Sequence, residues 1–532
     1  MKLSTGQRAK RIFGGGGVND NHCDYLAIVI VLFGILIRCI YLGNIPGNMN
    51  VHQDEAFAGY EAWSLINYGC DSNGYSNPVY LTAWGSGMSV LNTYLMIPFI
   101  KVMGLNSISI RLPQVIVGCL SLLAFYYVLR KLKDSRLALL GLGVLTITPW
   151  HIMISRWGLD CNLFPGMLLL AMVFLIKAQE HPTWFLAAAF LYGLSLYAYA
   201  APWIVMPLLV IGNVGIMLWS GNLRRGRHLY AGAVLLAIMA FPLLLFILVN
   251  LGMLPEIKTA FCSIPRLTEF RSGDFSAGAK EILERIYRVY YLMVRQEENG
   301  IPETSFAEFG FYYKVSTLFI AVGIGRAIEG VIKREKDRAT DLIFGLQLLC
   351  GIFMGIASEA TSWRINIIHV PMVYFCCTGI NTVVGWIRAG WCTMAIIVTY
   401  SVLFLSFFSY YMTRGDDVIG REWHDGFKEA LAYCMETSPE CIIHVREIPY
   451  SLVLFYSRYP TDRFVATVDF SETNPRFRTP TSFEGFRYDG WDRIVPGDIY
   501  ICKKDSDVTC NLEELNAIGK EFGQYAVYKV LE

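Results

Sequence analysis

Six charged side chains stand near the ends of long apolar runs in this sequence: Asp54 and its neighbour Glu55, then Arg111, Arg156, Asp160 and Arg364. A carboxylate can take a proton from a nucleophile, and an arginine grips phosphate oxygens through a planar, permanently charged fork. Together they suit a reaction in which a base deprotonates an acceptor while an anionic phosphate is held and then released. Asp54 is therefore read as the general base, with Glu55 and Asp160 as further catalytic carboxylates. Arg111, Arg156 and Arg364 are read as phosphate ligands. Structural alternatives stand beside each reading. Asp54 could be a helix-start acid favoured by the macrodipole, and Glu55 could serve only to fix its neighbour. Arg111 and Arg364 could be interfacial anchors, and Arg156 could pair with Asp160 four residues on. His52, two residues before the acid, is more simply a solvated loop histidine.

The elements that must bring these residues together are set by composition. The chain has 532 residues, 54% hydrophobic and 17% charged, with a mean hydropathy of +0.41. That is the balance of a polytopic α-helical membrane protein. A formal net charge of +1 gives no drive toward nucleic acid. Eleven apolar runs are read as spans: Tyr25–Leu42, Arg111–Tyr127, Leu137–Ile152, Leu163–Ile176, Trp184–Tyr199, Ile204–Trp219, Tyr230–Asn250, Phe319–Val331, Leu342–Ile356, Ile367–Trp386 and Trp391–Tyr411. Met88–Met103, interrupted by Asn92, Pro98 and Lys101, is read as an interfacial segment. With that parity the basic clusters at 130–136, 224–227 and 333–338 all fall in the cytoplasm with the N-terminus, as the positive-inside rule demands. No signal peptide is expected ahead of the first span.

This parity divides the chain into a cytoplasmic tail (1–24), a transmembrane domain (25–411) with external loops at 43–109 and 251–313, and an external domain (412–532). The last is read as a small α/β domain. Helices are expected at Phe427–Met435, Leu452–Tyr459 and Asn511–Phe522, and strands at Cys441–Val445, Phe464–Val468, Ile499–Cys502 and Tyr525–Leu531. Cys434, Cys441, Cys502 and Cys510 in that domain allow three pairings, and the sequence chooses none. The Gly14–Gly17 run lacks the ending of a phosphate loop and reads as a flexible tail. No Cys or His spacing fits zinc, no cofactor is expected, and a divalent metal is left open.

Four stretches carry a resemblance: His52-Gln53-Asp54-Glu55-Ala56, Gly104-Leu105-Asn106 through Arg111-Leu112-Pro113, Thr148-Pro149-Trp150-His151 through Arg156-Trp157-Gly158-Leu159-Asp160, and Tyr197-Ala198-Tyr199-Ala200-Ala201. In order and spacing the chain resembles the C-type (GT-C) glycosyltransferases, in particular bacterial members of the family of protein O-mannosyltransferases and lipid A aminoarabinose transferases. The likeness runs over about the first 220 residues and more loosely to the end of the spans. It implies the GT-C fold, an aspartate base in the first external loop, and a polyprenyl-phosphate-sugar donor in the bacterial cytoplasmic membrane. The acceptor would be an extracytoplasmic glycan, lipid or protein. The large loop lacks the β-trefoil insertion of the eukaryotic mannosyltransferases. Topology gives a separate reason for such a donor, because nucleotide sugars stay in the cytoplasm and an external site needs a sugar carried across by lipid. Two rival classes share some of these features. A polysaccharide polymerase or ligase concentrates basic residues in one large loop, as Arg266, Arg271, Arg285, Arg288 and Arg295 do here. A lipid-linked sugar transporter keeps charges at mid-bilayer, where these spans carry almost none.

Overall fold

The structure is a computed structural model that describes residues 20–259, 261–270, 278–298, 300–445, 447–470, 477–489, 494–504 and 517–531. Six of its helices are long and apolar enough to cross a bilayer: Ser107–Leu132, Asp160–Lys177, Arg227–Asn250, Arg338–Ala357, Asn366–Ile387 and Gly390–Tyr411. At the other expected positions stand the 20-residue helix Asp20–Cys39 and the shorter helices Ser135–Ile147, Trp184–Ser195, Met206–Trp219 and Ser316–Ile332. Their limits follow local chemistry. Asn106 accepts from the amides of Ile108 and Ser109 to start Ser107–Leu132, and Arg130 and Lys131 sit in its last turn. Asp134 starts the next helix by accepting from Arg136 and Leu137. Two helices cross at glycines: Gly323 faces the Phe375 carbonyl and Gly379 faces the Phe319 carbonyl, so a Cβ at either would fall 1.8 Å from that oxygen. Only glycine permits backbones that close.

The first loop carries two α-helices, Gln53–Asn67 and Leu91–Met103, the second only 13 residues long, containing Pro98 and ended by Gly104 at φ +74°. The large loop holds a two-stranded ribbon, β1 (Ile257–Lys258) and β2 (Ser263–Ile264), and the amphipathic helix Ala279–Arg295.

The C-terminal region is a mixed seven-stranded sheet: β3 (Ile443–Val445), β4 (Asp469–Phe470), β5 (Pro480–Phe483), β6 (Phe486–Arg487), β7 (Ile499–Lys503), β8 (Ala517–Phe522) and β9 (Tyr525–Val530), in the order 4-5-6-3-7-9-8. Strand β3 runs parallel to both β6 and β7, and the other pairs are antiparallel. Two expectations are corrected here. Phe464–Val468, read as a strand, is instead the second half of the helix Thr461–Thr467 and its C-cap Val468; Pro460 introduces this helix, and Phe464 turns into the core beside Phe483. Asn511–Phe522, read as a helix, contains β8, whose Ala517–Phe522 pairs along its whole length with β9 across the Gly523-Gln524 turn. Asn511 to Asn516 lie outside the described residues, as do residues 1–19, Arg271 and Cys510. Cys434, Cys441 and Cys502 are free thiols.

One hydrophobic core joins this sheet region to the first loop. Ala56, Phe57, Ala58, Tyr60 and Ala62 of the Gln53–Asn67 helix pack with Leu452, Val453, Phe455 and Phe464. The Tyr60 hydroxyl donates to the Tyr459 carbonyl at 2.7 Å, and Ser451 Oγ donates to the Gln53 carbonyl at 2.9 Å. Asp416 accepts from the Gly47 and Asn48 amides at 2.6 and 3.1 Å. The helix that opens with Asp54 and Glu55 therefore has one wall made by the C-terminal region.

Candidate active site

His52 starts the Gln53–Asn67 helix. Its Nδ1 accepts from the Asp54 amide at 3.2 Å while its own amide donates to Glu55 Oε2 at 3.2 Å. This reciprocal cap puts Asp54 and Glu55 in the first turn, where unpaired amides favour negative charge. Because Nδ1 accepts, a neutral His52 carries its proton on Nε2. One residue step turns the chain by about 100°. The two acids consequently point apart: the Glu55 side chain is fully buried, while Asp54 keeps 28% of its side-chain surface open.

Beneath that turn the terminal guanidinium nitrogens of Arg111 and Arg156 and the Glu55 carboxylate all have partners, while Arg156 Nε is buried without one. Arg111 Nε and Nη2 each donate to a Glu55 oxygen at 3.1 Å, a bidentate pair 56 residues apart in sequence. Its other donors go to the carbonyls of Leu42 and Asn50, and its guanidinium faces the Trp423 ring at 5.5 Å. Glu55 Oε1 also accepts from the Gly158 amide at 2.5 Å. Arg156 donates through Nη1 and Nη2 to four carbonyls, those of Ile37, Arg38, Ile40 and Ile45. It thus satisfies orphan carbonyls where the first apolar helix ends. Neither arginine is exposed, and in this geometry neither turns a terminal guanidinium nitrogen outward toward a phosphate.

The turn from Trp157 to Asn162 is held by side-chain amides. Asn92 donates to the Gly158 carbonyl at 2.5 Å, Gln114 to Leu159 at 2.6 Å, and Asn366 to Cys161 at 2.6 Å. Gly158 is a close approach, since a Cβ there would lie 3.1 Å from both Glu55 Oε1 and the Ile110 carbonyl. The turn presents Asp160, whose carboxylate accepts from the Ser89 and Cys161 amides at 3.1 and 2.7 Å and lies within electrostatic reach of Asp54. The Tyr199 phenol feels both Asp160 and Arg364. Arg364, 3.8 Å from Glu359, comes from the segment before the Asn366–Ile387 span.

All six residues singled out in the sequence thus belong to one neighbourhood, with Arg364 at its margin. Several others were not legible there. Asn92, Gln114 and Asn366 read as ordinary polar residues in or beside spans, although a buried amide at a span end is a sign of a partner. Trp157 and Trp423 flank His52, their ring centroids 5.2 and 5.6 Å from the imidazole. Glu303 reaches in from the large loop within electrostatic range of His52. Burial pushes its carboxyl above the usual range, and its Oε2 is buried without a hydrogen-bond partner. Among the described residues, no three His, Cys, Asp or Glu side chains gather in a group that could hold a metal ion.

Comparison with known proteins accords with this arrangement. Residues 89–246, which include Arg111, Arg156 and Asp160, match the family described as dolichyl-phosphate-mannose-protein mannosyltransferase. Among solved structures, ArnT from Cupriavidus metallidurans in the apo state is similar, with 12% identity and a TM-score of 0.57 over 94% of this chain and 97% of that one. ArnT bound to undecaprenyl phosphate is similar to the same extent, with 13% identity and a TM-score of 0.56 over 94% and 97% of the two chains. No curated protein gives a significant match. A polytopic helical frame that shares the fold of ArnT along nearly its whole length, and a mannosyltransferase family match over residues 89–246, mark this protein as a membrane glycosyltransferase with the GT-C fold.

Proposed function

We propose that this enzyme moves a sugar from a polyprenyl-phosphate carrier to an acceptor on the outer side of a bacterial cytoplasmic membrane, with Asp54 as the general base. The observation that carries this reading is the contrast within one helical turn, where Glu55 is consumed by Arg111 and Gly158 while Asp54 remains partly open beside Asp160. The family match and the undecaprenyl phosphate found on ArnT support a lipid-linked donor. In the reaction, Asp54 takes a proton from an acceptor hydroxyl or amine as that atom bonds to the anomeric carbon. The bond from that carbon to the phosphate oxygen breaks on the opposite face, so configuration inverts and the carrier leaves as the polyprenyl phosphate anion. Asp160, buried beside Asp54 and held by the Ser89 and Cys161 amides, helps to position the reacting groups.

Arg364 is the arginine that fits phosphate, since it stands at the margin with 15% of its side chain open. Arg111 and Arg156 act as positioning residues, replacing the direct phosphate contact expected from sequence, because their nitrogens serve Glu55 and main-chain carbonyls. The proposed topology is a cytoplasmic N-terminus, external loops at 43–109 and 251–313, and an external region after residue 412. The test is sugar transfer from a synthetic polyprenyl-phosphate sugar by the purified Asp54→Asn variant. Loss of transfer with unchanged thermal unfolding supports the assignment, and full transfer ends it.

A further inference from the structure

The Ala279–Arg295 helix of the large loop has three separate faces. The first is against protein: Arg285 Nη1 donates to the Ala357 carbonyl at 2.7 Å, and Val289 Cγ2 sits 2.4 Å from where a Cβ on Gly355 would lie. The second is apolar and open, formed by Ile282, Leu283, Ile286, Tyr287, Tyr290 and Val294. At about 100° per residue these six fall in one arc of roughly 140°. The third carries Lys280, Glu284, Arg288 and Arg295. With Lys280, Glu281, Glu284, Arg285, Arg288 and Arg295 among 17 residues, this helix is not itself a span.

What covers the open face is indicated by its neighbour. The helix packs on the end of the Arg338–Ala357 span, whose Leu349 and Phe353 are 65% and 52% exposed, as lipid-facing residues are. Leu283, Tyr287 and Tyr290, at 67%, 65% and 58%, are exposed to the same degree beside that span's end. An open apolar face bearing tyrosines, with flanking basic residues, on a helix packed at the end of a span fits the headgroup and acyl boundary.

We propose that Ala279–Arg295 lies flat in the bilayer interface on the side of the Asp54 site, with Leu283, Tyr287 and Tyr290 inserted among lipid chains. The polar face then looks toward water, and Arg288 reaches Glu359 at 3.3 Å, the same carboxylate that Arg364 approaches at 3.8 Å. Membrane seating and the margin of the site are thereby joined through one glutamate.

The test is photo-crosslinking of the full chain in native membrane vesicles, with p-benzoyl-phenylalanine placed in turn at Leu283, Tyr290 and Glu284. Mass spectrometry of the helix peptide is expected to find phospholipid adducts at Leu283 and Tyr290 at about ten times the yield at Glu284. A yield at Leu283 no greater than at Glu284 overturns the proposal. So does a polypeptide adduct at Leu283, which assigns the face to a protein partner. The readout does not depend on sugar transfer, so it stands or falls apart from the role of Asp54.

Discussion

The floor and the margin of the site are built from the same residue types and differ in how far those side chains are open. On the floor, Glu55, Arg111 and Arg156 are wholly buried, and their hydrogen bonds run to one another or to main chain. At the margin, Asp54 and Arg364 keep part of their side chains open, and Glu303 holds a carboxylate oxygen with no hydrogen-bond partner. Ion pairs buried this way hold geometry, whereas chemistry needs an atom that can change partner.

The sharpest way to break this contrast is to exchange the fates of neighbours. Asp54→Asn is expected to lower the transfer rate by about 10²–10⁴ while thermal unfolding stays as in the wild type. Arg111→Ala should act on folding, because Glu55 is left charged and buried at a cost of about 3–5 kcal/mol. Its readout is the loss of the monodisperse peak in size-exclusion chromatography. Arg111→Lys should not restore it, since an ammonium cannot reproduce the two-pronged contact. If Arg111→Ala folds normally and loses only activity, floor and margin are not distinct. For Arg364→Ala, removal of a charged hydrogen bond to phosphate predicts a rise in KM for the donor of about 10–100-fold with little change in stability. A change below about twofold would leave the margin without its phosphate ligand.

A gentler test uses pH. Farther along the Asp54 helix, Glu61 accepts from the Ser72 amide at 2.7 Å and is pushed up to about 8, chiefly by burial and then by the charge of Asp71. A carboxyl raised in the folded state keeps a proton that the unfolded chain has already released. Stability from this group is therefore present on the acid side and declines as pH climbs toward 8, with no further loss above it. Melting temperature should fall across that range, and Glu61→Gln should flatten the slope. A slope unchanged in the variant would refute the assignment. The smallest effect belongs to Ser451→Ala, which removes a single bond to the Gln53 carbonyl. About 1 kcal/mol of stability and almost no activity should be lost.

The membrane frame was legible in the sequence because apolar runs and basic clusters are local signals. The Asp54 neighbourhood was legible in outline, since each acid and arginine lies beside a run end. Which of them would be consumed by a partner was not legible. Arg111 meets Glu55 across 56 residues, and Arg156 meets carbonyls more than 110 residues away, so no window of sequence contains either contact. The same limit explains the C-terminal errors. Thr461–Thr467 has β-branched residues at both ends but follows a proline that favours a helix start, and Ala517–Phe522 is a strand because β9 lies beside it.

The Ser451 hydroxyl and the Gln53 carbonyl that it caps are 398 residues apart. At ribosomal rates of about 5–20 residues per second, roughly 20–80 s separate the synthesis of the two. Throughout that interval the nascent Asp54 helix lacks the segment that receives the Tyr60 hydroxyl and caps Gln53. Completion of translation is thus a precondition for an ordered reaction centre, and a chain stopped after its final span inserts without acquiring a finished one.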